Sequence, residues 1–491
     1  MKLAPLVFLV LICILCFTIV KSTAVHKFLI TQHLQRSFPS GPPVHFVVDD
    51  NTNTNTNTNN VSIGNLDSDT NTNTNTDTNL NKDTNLNKDL IPLVQIAADS
   101  APEFWSRLLF DGDVGLGEMY AEHKWTAGPS GLVATLSNLY SHFRTNSGDE
   151  SVFVRGLSVL GSVKRVVCSS SEKDVERAQH HYDVGNDFYD LFLKPSALKA
   201  YTCAFFSHST TTLDEAQRAK VDLIVRKLGQ TPGQSLDKKT ILDIGCGWGH
   251  IAHYVAQQTG ARVVGLTAAA EQAKYIRDFG SKTEGSVDVI EADYRTLLDA
   301  KYKGAFDHVY TIGFLEAIRY ENMTTFFRIL DHVLKPGGRA VIHTIVSPVD
   351  TPKKSIEGGT FITKHIFPGG QIPMHDWITN AAAHISGLHL AHSEVFGGQH
   401  YARTLRVWRE TLLKEYYSQE NVTIREKYPP ELLRKYEYYL ASSEAGFSVG
   451  LMGLGHFVYV KTGTVGPIGL DEQYFPIENL DFEPTNTEQK E

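Results

Sequence analysis

A buried apolar run, a glycine-rich turn and a helix follow one another near the middle of this chain of 491 residues, and this succession constrains its fold most. The run TILDIG (Thr240–Gly245) is apolar without alternation, which is typical of a parallel strand covered on both faces. The turn GCGWG (Gly245–Gly249) leads into HIAHYVAQQTG, a predicted helix that ends at Gly260. Glycines permit a tight turn and let a ligand approach bare backbone at a helix N-terminus, so the turn is a candidate binding site.

Strands and helices continue to alternate after this helix. Further strands are predicted at ARVVGLT (261–267), VDVIEADY (287–294), FDHVYTIGFLE (306–316) and RAVIHTI (339–345). Helices are predicted from Ala270 onwards and at MTTFFRILDHVL (323–334). The alternation predicts an open parallel α/β sheet, in which ligands bind beyond the carboxyl ends of the strands.

The glycine turn lacks the features of two common nucleotide sites. No G-x-x-x-x-G-K-[ST] segment occurs, which argues against a phosphate cradle of that kind. The spacing is G-x-G-x-G rather than G-x-G-x-x-G, and the second strand ends in Thr267 rather than in an acidic residue that would hold a ribose. By itself, a glycine-rich turn between a strand and a helix is a weak signal of function.

Composition excludes further classes of function. The formal net charge of −9 and the lack of a basic cluster with interleaved aromatic residues argue against a nucleic-acid partner. Cys13 and Cys16 lie in an apolar leader, and the three other cysteines are too scattered for a disulfide framework, which favours a reducing compartment. His250 and His253 have metal-like spacing without a third ligand, so we predict a solvated helix face and no metal site.

The N-terminal region has the composition of a leader followed by a linker. An apolar run of roughly eighteen residues separates Lys2 from Lys21, which is the lower limit for a membrane span. Residues 1–24 are therefore predicted to be a hydrophobic leader that acts as a signal anchor at an endomembrane; the alternative is a cleaved signal peptide and a secreted or luminal protein. Residues 25–95 contain alternating Asn and Thr and are predicted to be a low-complexity linker.

Several blocks of the chain resemble one family. The segment LDIGCGWGHIAHYVAQQTGARVVGLT (242–267) resembles the cofactor-binding region of S-adenosylmethionine-dependent methyltransferases, and most of all that of the cyclopropane-fatty-acyl-phospholipid synthase and mycolic acid cyclopropane synthase family. Further similar blocks are HYDVGNDFYDLFL (181–193), YTCAFF (201–206), FITKHIFPGGQIP (361–373) and GGQHYARTLRVWRE (397–410). PEFWSRLLFDGDVGLGE (102–118) is similar to the N-terminal domain of that family.

The resemblance implies a fold and a division into domains. The fold is a class I S-adenosylmethionine methyltransferase of Rossmann-like α/β type, with a small N-terminal domain. The implied organisation is a small N-terminal domain at 96–170, a methyltransferase catalytic domain at 171–465 and an acidic tail at 466–491.

The resemblance also implies an activity and its cofactor. The expected reaction transfers a methylene group from S-adenosylmethionine to the cis double bond of an unsaturated acyl chain of a membrane phospholipid, which forms a cyclopropane ring. The membrane surface is then a partner, and a homodimer is left open. The implied cofactor contacts are Tyr201, Thr202, Asp243, Gly245, Cys246, Gly247, Trp248, Gly249, Thr267, Gln272 and Tyr294.

The base in the resembled family is a bound bicarbonate ion, which removes a proton from the transferred methyl group. Its ligands map onto Cys203, Glu316, His343, the backbone of Ile345, and Tyr401. A thiol, an imidazole, a phenol and a backbone N–H can all donate hydrogen bonds to a small planar anion. Glu316 carries the same charge as the anion and is expected to share a proton with it, although its protonation state stays open.

Three positions depart from the family pattern. Ala317 stands where the family usually has His, Arg319 where it usually has Gly, and His456 where Gln is common. These changes leave open whether the product carries a ring, a methyl branch or a methylene group. The alternatives are therefore a lipid C-methyltransferase that makes a branch, for example on a sphingolipid base, and a catalytically silent lipid-binding homologue.

Overall fold

The structure is a computed structural model, which describes residues 45–49, 60–61, 93–128, 130–145, 184–209, 211–229, 235–280, 287–347 and 360–463. The predicted leader (1–24) and acidic tail (466–491) lie outside the described residues. Two compact units divide the chain. The helical unit consists of Met1–Asp183, Gly358–Pro368 and Tyr416–Val449, and the α/β unit consists of Val184–Glu357, Gly369–Glu415 and Gly450–Glu491.

The described part of the helical unit contains four strands and five α-helices. The strands are β1 (His45–Asp49), β2 (Asn60–Val61), β3 (Leu93–Ala97) and β4 (Trp125–Ala127), in the sheet order β2-β1-β3-β4. The helices are α1 (Ala101–Ala121), α2 (Gly131–Thr145), α8 (Phe361–His365), α11 (Val422–Lys427) and α12 (Pro430–Ser448). Strands β1 and β2 lie within the segment 25–95 that the sequence predicts to be a linker.

The α/β unit contains a seven-stranded sheet and the remaining α-helices. Its strands are β5 (Thr240–Ile244), β6 (Arg262–Thr267), β7 (Val287–Glu291), β8 (Phe306–Ile312), β9 (Leu334–Val346), β10 (Leu388–Phe396) and β11 (Gly453–Lys461). Its helices are α3 (Asn186–Leu193), α4 (Leu213–Leu228), α5 (His250–Thr259), α6 (Ala270–Gly280), α7 (Met323–Val333), α9 (His375–Ala383) and α10 (Gln399–Tyr416). All five strands and all three helices predicted between residues 240 and 346 are present.

The sheet is mixed, and the prediction of an open parallel sheet was wrong in this respect. Its order is β10-β11-β9-β8-β5-β6-β7, and the five strands from β5 to β9 are parallel. Strand β11 runs antiparallel to both of its neighbours, β9 and β10. The difference arises because the last strand inserts beside β9 after several helices, beyond the region in which strands and helices alternate.

Both faces of the sheet are covered. Successive residues of β5 belong to different apolar clusters, since Ile241 packs in one and Leu242 and Ile244 in the other. On β6, Val263 packs in the same cluster as Ile241, and Val264 packs in the cluster of Leu242 and Ile244. This arrangement explains why these strands are continuously apolar rather than alternating.

Helix α1 packs closely against two aromatic rings of the helical unit. A Cβ atom on Gly117 would lie 2.3 Å from Cδ2 of Phe361 and 2.6 Å from Cε1 of Tyr438. Asp113, one turn earlier, accepts a hydrogen bond from the backbone N–H of Phe361 at 2.9 Å. Glycine therefore lets segments that are distant in sequence meet at the surface of α1.

We predict that Gly117→Ala destabilises the protein. In an open helix this change would stabilise by roughly 0.5–1 kcal/mol, but overpacking against two rings costs about 1–3 kcal/mol. Urea unfolding followed by circular dichroism measures whether the free energy of unfolding falls or rises. Gly397→Ala is the control, because a Cβ atom there meets nothing within 4 Å; equal stability of the two variants would contradict the prediction.

Candidate active site

The glycine turn after β5 is packed at both ends and open in the middle. Gly245, Gly247 and Gly249 have φ values of 83°, 54° and 77°, a left-handed conformation that favours glycine. A Cβ atom on Gly245 would lie 2.7 Å from the ring of Phe314, and one on Gly249 would lie 2.7 Å from Cγ1 of Ile276. A Cβ atom on Gly247 meets nothing within 4 Å, so a ligand can approach the backbone at this residue.

Further predicted cofactor residues lie at the same edge of the sheet. Thr267, the last residue of β6, donates a hydrogen bond to Oε1 of Gln272 at 2.8 Å. Tyr294 follows β7 and packs edge-to-face on Phe314, with ring centroids 5.6 Å apart. Because the carboxyl ends of parallel strands share one edge, these side chains and the glycine turn surround a common region.

Two predicted cofactor residues are buried ionisable groups. Asp243 lies on β5, where burial raises the pKa of its carboxyl to about 7. Burial also raises the pKa of the Cys246 thiol, and its sulfur packs so closely on β6 that a Cβ atom on Gly265 would lie 2.7 Å from it. Cys246 therefore fixes the turn against β6 by packing, as a protonated thiol.

An aromatic cluster joins the glycine turn to the segment that contains Tyr201. The ring of Tyr189 on α3 lies 5.8 Å from Trp248 of the turn and 5.4 Å from Tyr201. Tyr201 also packs on Trp408 of α10, with centroids 5.3 Å apart. Trp248 in turn donates a hydrogen bond to Oδ1 of Asn186 at 3.2 Å.

Thr202 connects this segment to strand β8. A Cβ atom on Gly313, directly after β8, would lie 2.8 Å from Cγ2 of Thr202. The Oγ1 atom of Thr202 accepts a hydrogen bond from Nζ of Lys220 at 2.8 Å. Residues 201–203 are thus placed at the edge of the sheet from which Glu316 follows.

Lys220 is a functional candidate that the sequence analysis missed. Its side chain is fully buried on α4, and its Nζ atom donates to Oε1 of Gln217 at 2.6 Å as well as to Thr202. Burial lowers the pKa of Lys220 to about 7. The available signal was a lysine within the apolar face of α4, between the buried residues Ala216 and Ile224.

The structure brings Glu316 and Ile345 together. The backbone N–H of Ile345 donates to Oε1 of Glu316 at 2.6 Å, whereas the sequence analysis gives this N–H to the anion. The other carboxylate oxygen, Oε2, is buried and has no hydrogen-bond partner among the described residues. Burial raises the pKa of Glu316, so its carboxyl group holds a proton more readily than an exposed one does.

His343 lies beside the same strand end. It pairs in register with Ile312 of β8, and its carbonyl oxygen accepts from the N–H of Gly313 at 2.9 Å. Its Nδ1 atom lies 2.7 Å from Nε2 of His456, while its own Nε2 atom is buried without a hydrogen-bond partner among the described residues. Burial lowers the pKa of His343 well below its usual value, so the imidazole is neutral.

Cys203 and Tyr401 are linked through helix α10. Burial raises the pKa of the Cys203 thiol to about 12, so it remains protonated, and in this structure its Sγ atom donates to the carbonyl oxygen of Ala204 at 3.2 Å. The next residue, Ala204, donates its backbone N–H to Oγ1 of Thr404 at 3.1 Å. Tyr401 lies three residues before Thr404 on the same helix, and its ring packs edge-to-face on Trp408 with centroids 6.2 Å apart.

His250 and His253 do not form a solvated helix face, and that prediction was wrong. His253 is buried, and His250 is partly buried with its Nε2 atom 3.3 Å from the hydroxyl oxygen of Tyr275. The ring of His250 also packs on Tyr275 of α6, with centroids 5.5 Å apart, so this side of α5 is covered by a neighbouring helix.

Comparison with known proteins identifies related sequences over most of the α/β unit. The family model described as mycolic acid cyclopropane synthetase matches residues 169–457. The cyclopropane-fatty-acyl-phospholipid synthase of Escherichia coli (strain K12) is 32% identical over 370 residues, which cover 73% of this chain and 86% of that protein. The cyclopropane mycolic acid synthase MmaA2 of Mycobacterium tuberculosis is 33% identical over 299 residues, which cover 58% of this chain and 97% of that protein.

Solved structures with the same fold include two methyltransferases. Mycolic acid cyclopropane synthase CmaA1, complexed with SAH and CTAB, is 28% identical with a TM-score of 0.50, over 58% of this chain and 98% of that one. Coclaurine N-methyltransferase, bound to N-methylheliamine and SAH, is 17% identical with a TM-score of 0.53, over 72% of this chain and 99% of that one. The second likeness concerns the fold alone.

We predict that Cys203 and Cys246 resist alkylation in the native protein. A pKa of about 12 leaves roughly one Cys203 thiol in ten thousand ionised at pH 8, and both sulfur atoms are buried. Iodoacetamide labelling followed by peptide mass spectrometry checks this, with the denatured protein as control. Rapid labelling of Cys203 in the native protein would contradict the protonated, buried thiol.

Proposed function

The chain belongs to the mycolic acid cyclopropane synthetase family of S-adenosylmethionine-dependent methyltransferases and has their class I α/β fold with a mixed sheet, and we propose that it makes cyclopropane rings in membrane phospholipids. It transfers a methylene group from S-adenosylmethionine to the cis double bond of an unsaturated acyl chain. Bicarbonate is the base, held by Cys203, Glu316, His343 and Tyr401 and, through Glu316, by the N–H of Ile345.

Two buried polar atoms without partners carry this proposal. Oε2 of Glu316 and Nε2 of His343 lie on neighbouring segments at one edge of the sheet, and neither has a hydrogen-bond partner among the described residues. Buried polar groups are normally hydrogen-bonded, so a ligand at this edge would supply the partner that each atom lacks. A small planar anion fits, because a neutral imidazole and a protonated carboxyl group can both donate to it.

The neighbouring groups fit an anion as well. The thiol of Cys203 and the phenol of Tyr401 are donors, and the buried amine of Lys220 donates to Thr202. An anion nearby would raise the pKa of Lys220 from about 7, because opposite charges stabilise each other. The N–H of Ile345 acts through Glu316, since it holds that carboxyl group in place.

The cofactor would be held along the carboxyl ends of β5, β6 and β7. The open backbone at Gly247 supports this location, because a ligand can lie there without meeting a side chain. When bound, S-adenosylmethionine supplies a methyl group on a positively charged sulfur. The residues assigned to it are Tyr201, Thr202, Asp243, Gly245, Cys246, Gly247, Trp248, Gly249, Thr267, Gln272 and Tyr294.

The chemistry of ring formation sets two tasks for this chain. An alkene that accepts a methyl group acquires positive charge, so water must be excluded and aromatic faces are favourable neighbours. The cluster of Tyr189, Tyr201 and Trp408 supplies such faces next to the glycine turn. One proton must then leave the new methyl group, and the anion site at Glu316 and His343 holds the group that accepts it.

The location of the substrate in a membrane concerns the N-terminal residues and the partners of the protein. The double bond of a phospholipid lies within the bilayer, so we include the membrane surface as a partner and residues 1–24 as a signal anchor at an endomembrane. The domains at 96–170 and 171–465, and a homodimer, remain part of this proposal. Within the described residues, no helix is long and apolar enough to cross a membrane.

Expression in a bacterial host that lacks its own cyclopropane synthase tests the activity. Lipid mass spectrometry should show unsaturated acyl chains that gain one CH₂ unit and lose their alkene, with label from methyl-deuterated methionine. A methyl-branched product would favour the related lipid C-methyltransferase. Ample folded protein that binds S-adenosylmethionine without any new lipid would favour the catalytically silent homologue.

We predict that Glu316→Gln lowers turnover by a factor of about 100 or more without weakening cofactor binding. Glutamine can still accept the hydrogen bond from Ile345, but it cannot share or release a proton at Oε2. Lipid product formation and calorimetric titration with S-adenosylmethionine measure the two effects. Arg262→Gln, at an exposed ion pair with Asp288, is the matched control; equal turnover in both variants would count against the anion site.

A further inference from the structure

A row of buried polar side chains leads away from His343 through the sheet. His343 on β9 lies directly opposite His456 on β11, which lies opposite Glu394 on β10. The Nδ1 atom of His343 is 2.7 Å from Nε2 of His456. The Nδ1 atom of His456 is in turn 2.5 Å from Nζ of Lys227 on α4, which also forms an ion pair with Glu394.

Burial makes this row a closed hydrogen-bonded unit. The exposed fractions of His343, His456 and Lys227 are 2%, 1% and 0%. Only Glu394 at the far end has appreciable exposure, at 18% of its side chain. Water therefore cannot supply missing hydrogen bonds in the middle of the row, and each atom must act as a donor or as an acceptor according to its neighbours.

The charges at the far end determine which groups donate. Burial lowers the pKa of Lys227 to about 8, but the carboxylate of Glu394 keeps it charged near neutral pH. Burial raises the pKa of Glu394, but the neighbouring His456 and the charge of Lys227 outweigh this and lower it to about 2. An ammonium group has donors and no acceptor, so it donates to the nearest acceptor besides the carboxylate, which is Nδ1 of His456.

The competing arrangement, in which Nδ1 of His456 donates to Glu394, has the poorer geometry. The distance from this nitrogen to Oε1 of Glu394 is 3.5 Å, compared with 2.5 Å to Nζ of Lys227. Burial lowers the pKa of His456 to about 4, so its ring carries one proton, which must then be on Nε2. That proton is donated to Nδ1 of His343, which leaves the proton of His343 on its own Nε2 atom.

We propose that Lys227 and His456 are positioning residues, which hold His343 in the tautomer with its proton on Nε2 and so make it a donor to the anion site. This rests on the proposed function in one respect, since the anion is the base of that reaction. The hydrogen bonds of the row are all donated in one direction, from Lys227 to His456 and from His456 to His343. The row ends at the Nε2 atom of His343, which has no hydrogen-bond partner among the described residues. His343 thereby presents a donor, and never a lone pair, to an anion.

Substitutions of His456 separate this role from simple packing. Glutamine has one acceptor and one donor, so His456→Gln can accept from Lys227 and donate to His343 as the histidine does. His456→Leu fills similar space but makes neither hydrogen bond. Lys227→Met removes the charged donor that makes Nδ1 of His456 an acceptor. His456→Gln should therefore keep most of the turnover, and most of the Nε2 tautomer of His343, that His456→Leu loses.

Nitrogen-15 spectra of the full chain, labelled at histidine, test the tautomer directly. The signals of His343 are assigned by their loss in His343→Gln. We expect a protonated Nε2 in the wild type and in His456→Gln, and a mixture of tautomers in His456→Leu and Lys227→Met. A proton on Nδ1 of His343 in the wild type would overturn the proposal.

Turnover on lipid gives a second readout. His456→Leu should lose roughly 10- to 100-fold in turnover, as expected when a buried hydrogen bond to a positioned group is removed, and His456→Gln should lose much less. Equal losses in the two variants would overturn the positioning role. If His456→Leu does not fold, the proposal is tested by the tautomer of His343 in the spectra of Lys227→Met and of the wild type. An Nε2-protonated His343 in a wild type without lipid activity would refute the proposed function and still support this inference.

Discussion

The pairing of β8 with β9 is the interaction on which the candidate site depends. The register sets Ile312 beside His343, and the hydrogen bond from Gly313 to the carbonyl oxygen of His343 extends this pairing past the end of β8. The chain then turns so that the carboxyl group of Glu316 meets the N–H of Ile345. A one-residue shift in this register would turn His343 to the opposite face of the sheet and separate it from His456.

Burial then decides the protonation of the groups that this register assembles. It keeps the thiol of Cys203 protonated, the imidazole of His343 neutral, and the carboxyl group of Glu316 inclined to hold a proton. Without burial, thiol and carboxyl would be more acidic and the imidazole more basic. The low polarity of the site thus favours the neutral forms of three ordinary ionisable residues, and it lowers the pKa of the nearby Lys220 to about 7.

The sequence predicted the parts of the fold that depend on local pattern. Continuous apolar runs identified the parallel strands from β5 to β9, and the glycine spacing located the turn after β5. Strand β10 was missed because it contains His389, His392 and Glu394, which do not resemble a sheet interior. The role of His456 was missed for a related reason, since its partners come from three other elements and sequence spacing does not show them.

The position of β11 has a consequence for the order in which the chain folds during synthesis. This strand is made after every other described strand, yet it lies between β9 and β10, and β10 has no other partner in the described sheet. Until residues 453–461 leave the ribosome, β9 is an unprotected edge that can pair with another chain. The helical unit also cannot complete its fold until residues up to Val449 have been synthesised. The nascent protein therefore needs protection from aggregation until almost all of its sequence is made.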